Sequence, residues 1–227
     1  GGDNAPQAPV AGALEALERF PGLTIVLAGP IDTVRAEVAR HGEAPDRLEL
    51  CDCPELIENC EPPVMAVRKK KGSAIVDGML KLRDGAVDAF VSAGSTGAVL
   101  AGGMFRLGRI PGVERPALAP LLPNGKDYFL LIDCGANVDC RPEWLRQFAQ
   151  MGSAYMECVR GVANPRIGLV NNGAEEEKGC QLTKEAHQLL KASGLNFVGN
   201  VEAREITHDQ ADVIVCQEIG KDVSGSG

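Results

Sequence analysis

Three short apolar runs in this chain each stop at a small, polar, glycine-bearing stretch that opens a predicted helix. Asp88-Ala89-Phe90-Val91 runs into Ser92-Ala93-Gly94-Ser95-Thr96-Gly97, and Tyr128-Phe129-Leu130-Leu131-Ile132 runs into Asp133-Cys134-Gly135-Ala136-Asn137. The third, Arg166-Ile167-Gly168-Leu169-Val170, meets Asn171-Asn172-Gly173 and an acidic run closed by Lys178-Gly179. In an open parallel sheet the carboxyl ends of the strands share one edge, and ligands bind there. Three such loops on one edge would form a site, and their chemistry points to a phosphate-bearing or other anionic ligand.

Each loop has a plainer reading beside the functional one. In the first, Gly94 and Gly97 let the backbone turn its N–H groups inward, and Ser92, Ser95 and Thr96 add hydroxyl donors. It is neither a Walker lysine loop nor a GxGxxG fingerprint. An ordinary turn with Ser95 or Thr96 as N-cap is the alternative. In the second loop, Asp133, Asn137 and Asp139 could orient a substrate or supply a general base. An Asx-turn uses the same residues, and a geometry-setting role is favoured over nucleophilic attack. In the third, Lys178 could reach across the edge as a cation, while glutamates in a helix's first turn are favoured by its dipole. His41, His187 and His208 are expected at exposed positions away from these loops. No Gly-x-Ser-x-Gly elbow or defensible Ser-His-Asp order appears, and Cys134 has no activating base that can be named.

The bulk composition narrows the class. With 227 residues, 44% hydrophobic and only 4% aromatic, the core must be built from Ala, Val, Leu and Ile, which favours α/β layering. A net charge of -8 argues against nucleic acid as a partner, since phosphate neutralisation needs clustered Lys and Arg. The basic cluster Arg68-Lys69-Lys70-Lys71 reads first as a solvated helix end. No apolar run reaches the roughly 20 residues that cross a bilayer, and no signal peptide is visible, so a cytoplasmic location is expected. The first residue is not Met, as if a native N-terminus had been removed. The eight cysteines are spread over a chain far larger than a disulfide-stapled miniprotein. Cys51-Asp52-Cys53 with Cys60 offers sulfurs, yet no CxxC pair or nearby His completes a zinc set. Reduced, mostly buried thiols and no metal are expected.

Helix and strand alternate nearly throughout. The pattern predicts helices over 10–20, 31–41, 62–71, 73–83, 96–107, 142–160 and 180–192. Strands are expected at 23–27, 48–51, 88–91, 128–132, 166–170, 195–201 and 212–215. Pro111, Pro116, Pro120 and Pro123 mark a long connection that crosses between layers, and the small residues of 96–107 suit close packing on the sheet. A mainly parallel, doubly wound sheet with helices on both faces follows.

Taken together, these loops resemble those of the bacterial phosphate acyltransferase family, PlsX. The resemblance rests on Ser92 to Ala98, Gly108-Arg109-Ile110, Arg115-Pro116-Ala117-Leu118, and Gly135-Ala136-Asn137-Val138-Asp139-Cys140. It rests also on Gln147-Phe148-Ala149, Met151-Gly152-Ser153, Asn164-Pro165-Arg166 and the opening Gly1-Gly2-Asp3-Asn4-Ala5-Pro6. It spans about residues 1–216, as one α/β acyltransferase domain with a divergent, flexible tail at 217–227. A Rossmann-like α/β/α fold is implied, like that of isocitrate and isopropylmalate dehydrogenases and related to phosphotransacetylases. The implied reaction converts acyl-(acyl carrier protein) and inorganic phosphate to acyl phosphate and free carrier protein, for phospholipid synthesis. No cofactor is implied. The implied partners are acyl carrier protein, phosphate, a second copy in a homodimer, and peripheral contact at the inner face of the cytoplasmic membrane.

Under that resemblance Lys178, Asp133 and Asn137 are the expected catalytic residues. Ser92, Gly94, Ser95, Thr96, Gly97, Asn171 and Arg68 are the expected phosphate-binding set, with Lys178 or Arg68 offsetting the phosphate charge. The family pattern also departs from this chain. It has a strand before Gly1, lacks the extra Ala174 that shifts Glu175, Glu176 and Glu177 by one, and continues for a further third beyond Cys216. The chain is therefore expected to be truncated at both ends. A phosphotransacetylase-like enzyme using coenzyme A thioesters, and a non-catalytic phosphate- or nucleotide-binding module, are the competing readings.

Overall fold

The computed structural model describes residues 2–137 and 139–217. Apart from Gln217, the tail expected at 217–227 lies outside the described residues, as does Val138 of the resemblance motif. The chain divides into two compact units, residues 1–110 and 111–227.

The first unit opens with α1 (Gln7–Arg19), β1 (Ile25–Gly29), α2 (Ile31–Arg40) and β2 (Leu48–Asp52). β1 and β2 pair in parallel, Ile25 opposite Leu48 through Gly29 opposite Asp52. Val10, Val34 and Val38 from the helices close over Leu27, Leu48 and Leu50. Three further helices follow: α3 (Pro63–Lys69), α4 (Ala74–Arg83) and α5 (Thr96–Gly102), the last running into a π-helical turn at Gly103–Leu107. Val67, Ile75, Val76, Ala98 and Ala101 form their shared core.

The strand expected at 88–91 does not form. A central strand would be buried on both faces, whereas Val91 is 92% exposed. The segment is anchored instead by Phe90, whose ring lies so close to Gly78 of α4 that a Cβ there would fall 2.3 Å from it. α5 also differs from expectation. Its small residues admit helix neighbours rather than a sheet: Gly97 faces Pro63, and Gly102 faces Ile75 and Met79.

The second unit is a five-stranded sheet with order β3-β4-β7-β5-β6. Its strands are β3 (Leu121–Pro123), β4 (Tyr128–Ile132), β5 (Ile167–Asn171), β6 (Phe197–Glu202) and β7 (Val213–Val215). Among the described residues only β3 is antiparallel to its neighbour. β3 was not expected, because its prolines mask a strand that needs just one pairing edge. Helices α6 (Pro142–Arg160) and α7 (Gln181–Lys191) make the crossovers from β4 to β5 and from β5 to β6. Both crossovers move the same way along the sheet, so the right-handed rule lays both helices on one face. The buried stripe of α6, from Trp144 and Leu145 through Phe148 and Gly152 to Met156, repeats at helical spacing. Leu130, Ile132, Val213 and Val215 point to that face, while Phe129, Leu131 and Ile214 point to the other. This two-residue alternation explains why the strands read as uninterrupted apolar runs.

A charged clamp closes the opposite, amino-terminal side. Arg166 gives Asp212 bonds from Nε (3.1 Å) and a terminal nitrogen (2.9 Å), and reaches Asp209 at 2.7 Å. Among the described residues no helix is long and apolar enough to cross a membrane.

Gly152 abuts β7 so closely that a Cβ would lie 2.5 Å from Val213. Gly152→Val should therefore lower stability by about 1–3 kcal/mol through overpacking. Gly12, inside α1 with open space around it, behaves oppositely, and Gly12→Ala should gain up to about 1 kcal/mol of helix propensity. Urea midpoints that moved the same way for both would contradict this packing.

Candidate functional site

The second loop is built around one carboxylate. Asp133 is fully buried at the end of β4. Its Oδ1 accepts the Leu118 N–H (2.8 Å) and the Ala136 N–H (3.4 Å), and its Oδ2 accepts the Asn137 N–H (2.8 Å) and Nδ2 (2.9 Å). Asn137 Nδ2 also donates to the Pro116 carbonyl at 2.9 Å. Asp133 and Asn137, expected as catalytic, are thus joined to each other and to the 116–118 segment. The carboxylate ties the turn to the long connection, as the Asx-turn alternative requires. The same device recurs nearby: Gln147 Oε1 accepts the Glu114 N–H at 2.9 Å, and Arg115 lies over Trp144 at 4.8 Å.

The third loop hangs from Asn171, the last residue of β5 and 5% exposed. Its Nδ2 donates to the Lys178 carbonyl at 2.9 Å, and its Oδ1 accepts the Asn172 N–H at 2.9 Å. Gly179 completes the closure with a φ of +96°; a Cβ there would lie 2.2 Å from Asn171 Oδ1 and from Thr183 Oγ1. Lys178 is exposed, and among the described residues its ammonium joins no ion pair or hydrogen bond. Its stem rests against Gly173. Asn171 therefore positions the loop, including the backbone of Lys178.

One residue was misplaced by sequence reasoning. His187 is 4% exposed rather than exposed, and it belongs to the third loop. Its Nε2 meets Glu176 Oε1 at 3.1 Å and its Nδ1 meets Asn200 Oδ1 at 3.0 Å. The signal was present: Thr183, Ala186, His187 and Leu190 form the buried stripe of α7 at helical spacing. Lys191 and then His187 hold the Glu176 carboxyl below the usual glutamate range. That contribution to loop anchoring is present above the ordinary glutamate pKa and is lost as pH falls through the lowered folded value.

Cys180 was also passed over. It caps α7 as an exposed thiol. Burial works to raise it, but hydrogen bonds from the Thr183 backbone, the Thr183 hydroxyl and the Leu182 backbone outweigh that and lower its pKa. Gln217, after β7, brings its amide to 4.0 Å from the Cys180 sulfur, and its carbonyl lies 4.0 Å from Cys140. The ends of β4, β7 and β5 thus share one edge of the sheet, with β7 between the other two. At about 4.8 Å per strand, the loops of β4 and β5 start roughly 10 Å apart.

The first loop belongs to the first unit. Ser95 is the N-cap of α5, its Oγ accepting the Ala98 N–H at 3.4 Å. Ser92 Oγ accepts the Gly94 N–H at 3.1 Å. The first N–H groups of α5 have no intrahelical acceptor, so Thr96 and Gly97 present donors at its start. Ser92 and Thr96 are exposed, and Gly94, Ser95 and Gly97 are half-buried. Arg68 does not stand at this loop's contact with α3. Gly97 meets Pro63 at one end of that helix, whereas Arg68 sits in its last turn with its guanidinium 5.2 Å over the Phe105 ring. The 68–71 cluster is also not uniformly solvated, because Lys70 turns back to the Leu56 carbonyl and Glu61.

Replacing Asp133 by Ala leaves the buried N–H of Asn137 and the part-buried N–H of Leu118 without their acceptor. A loss of more than about 2 kcal/mol is expected, read from chemical denaturation. An unchanged midpoint would show that the carboxylate does not hold the turn.

Comparison with known proteins places the chain in a family. A family model described as "Fatty acid synthesis protein" matches residues 1–223. The chain is 49% identical over 216 residues to a phosphate acyltransferase of Clostridium acetobutylicum, and 48% identical to one of Clostridium tetani. Each alignment covers 95% of this chain and 65% of the relative, so the chain spans somewhat less than two thirds of their length. Among solved structures it is similar to a branched-chain phosphotransacylase from Enterococcus faecalis V583 (TM-score 0.57, 13% identity, 95% of this chain and 77% of that one). It is also similar to a 4-hydroxythreonine-4-phosphate dehydrogenase from Klebsiella pneumoniae (TM-score 0.50, 15% identity, 85% and 71%). Those two likenesses show a shared Rossmann-like α/β fold. The match along nearly the whole chain, with relatives close to half identical, shows that this chain belongs to the fatty acid synthesis protein family, the PlsX phosphate acyltransferases.

Proposed function

We propose that this chain takes part in phosphate acyl transfer, making acyl phosphate from acyl-(acyl carrier protein) and inorganic phosphate for phospholipid synthesis. The observation that carries the reading is the near-half identity with relatives named phosphate acyltransferase. The geometry supports it in each unit separately. In the first, Ser92, Gly94, Ser95, Thr96 and Gly97 offer hydroxyls and helix-start N–H groups suited to a phosphate. In the second, Lys178 is a cation held on the strand-end edge without a partner of its own among the described residues.

A phosphate oxygen attacks the thioester carbonyl carbon, the carbon–sulfur bond breaks, and the carrier thiolate leaves and takes up a proton. Phosphate is itself the nucleophile, so positioning and charge stabilisation supply the acceleration. In this reading Lys178 steadies negative charge, and Asp133, Asn137 and Asn171 act by holding their loops. The exposed face of α3, with Val64 and Met65 beside Arg68, Lys69 and Lys71, is the surface assigned to an acidic carrier protein. A homodimer and peripheral membrane contact complete the reading.

Phosphate-dependent release of carrier thiol, with phosphate binding followed by calorimetry, tests it. Lys178→Ala should weaken phosphate binding and lower turnover at least about 10-fold while leaving the melting temperature nearly unchanged, since among the described residues its ammonium joins no ion pair or hydrogen bond. Ser95→Ala should weaken phosphate binding and also cost about 1 kcal/mol of stability as a lost N-cap. Release from acyl-coenzyme A alone would favour the phosphotransacetylase-like reading. Tight phosphate binding with no release from either thioester would favour a binding module.

A further inference from the structure

β2 ends in a Cys-x-Cys sequence whose two thiols share one side of the strand. Strand alternation turns Asp52 the other way, where its Oδ1 accepts the Ile31 N–H at 3.1 Å at the start of α2. Cys53 stays in strand register, its N–H donating to the Gly29 carbonyl at 2.8 Å. The two sulfurs lie 4.0 Å apart, and Cys51 Sγ lies 3.3 Å from Asp77 Oδ2, in the first turn of α4. All three ligand atoms fall within 4.8 Å of one another. Cys53 is 1% exposed, and Cys51 is half-buried.

The two separations from Cys51 are close to those around a tetrahedral thiophilic ion. With zinc–sulfur bonds of about 2.3 Å and zinc–oxygen bonds of about 2.0 Å, tetrahedral angles place two sulfurs roughly 3.8 Å apart and sulfur and oxygen roughly 3.5 Å apart. We propose that Cys51, Cys53 and Asp77 form a binding site for a zinc-class divalent cation, with Lys81 as an outer partner of the carboxylate and the fourth position open to water.

The charges support this. Lys81 Nζ donates to Asp77 Oδ2 at 2.8 Å, and a ligating carboxylate is commonly held by such an outer hydrogen bond. Two thiolates and one carboxylate are then balanced by one divalent ion and the Lys81 ammonium, so the part-buried cluster is neutral. Metal entry displaces the two thiol protons to solvent as two metal–sulfur bonds form. The site ties the end of β2 to α4 across 24 residues of sequence, which is why a search for neighbouring CxxC or His ligands misses it. Cys60, the third sulfur near in sequence, lies instead at 3.6 Å from Glu58 Oε2.

Anaerobic titration of the chain with Co2+ tests the proposal. One equivalent should bind with thiolate-to-cobalt charge-transfer absorption and the visible bands of a tetrahedral ion, and Zn2+ should displace it. Cys51→Ser and Cys53→Ser should each weaken binding at least 100-fold, Asp77→Asn about 10-fold, and Cys60→Ser not at all. Alkylation mapped by mass spectrometry on the unmodified sequence covers the case of a variant that does not fold: one equivalent of Zn2+ should protect Cys51 and Cys53 selectively. Absence of the charge-transfer band, protection of other cysteines in their place, or a Cys51–Cys53 disulfide persisting in the presence of Zn2+ would overturn the site.

Discussion

The second unit depends on a three-residue strand lodged between two others. β7 takes hydrogen bonds on both sides: Leu130 N–H donates to the Asp212 carbonyl, Cys216 N–H to Ile132, Asp133 N–H to Cys216, and Val213 N–H to Arg166. Val213, Ile214 and Val215 are fully buried. Both hydrophobic faces of the sheet pass through these residues. The insertion also sets the spacing of the strand-end loops, because it separates the end of β4 from the end of β5. Arg166 secures it from the amino-terminal side by holding Asp209 and Asp212.

Several polar residues of the strand-end loops act here as fasteners. Asp133 and Asn137 hold Leu118 and Pro116, Gln147 holds Glu114, and Asn171 with Gly179 closes the third loop. Each satisfies backbone groups that an irregular, partly buried connection would otherwise leave unpaired. Lys178 differs from these fasteners: they place its backbone, while among the described residues its ammonium joins no ion pair or hydrogen bond.

The sequence made much of this legible. Strands β4 and β5 and helices α6 and α7 appear within a residue or so of their expected limits, because buried parallel strands and amphipathic helices have distinct periods. Phe90 shows where that logic fails. Asp88 to Val91 has a strand's apolar character, but its ring finds a glycine on a helix, and pairing is decided by neighbours that a local pattern does not contain. β3 was hidden for the converse reason, since its prolines tolerate an edge. His187 was legible in the stripe of α7, but its meeting with Glu176 of the third loop is a tertiary contact that its place in the sequence does not show. Asp77 was not legible at all, because its meeting with Cys51 and Cys53 is a tertiary contact between a strand end and a helix two elements later.

The central claim is that phosphate, rather than any side chain of the protein, attacks the thioester. The exposed thiol of Cys180 on the strand-end edge, whose pKa hydrogen bonding lowers from the ordinary thiol value, is a side chain that could act in its place. Incubation with acyl-(acyl carrier protein) and 18O-labelled phosphate, followed by mass spectrometry of both product and protein, tests this most directly. Acyl phosphate carrying label at every oxygen on phosphorus, with the protein mass unchanged when phosphate is withheld, is the predicted result. An acyl adduct on Cys180 formed without phosphate would contradict it.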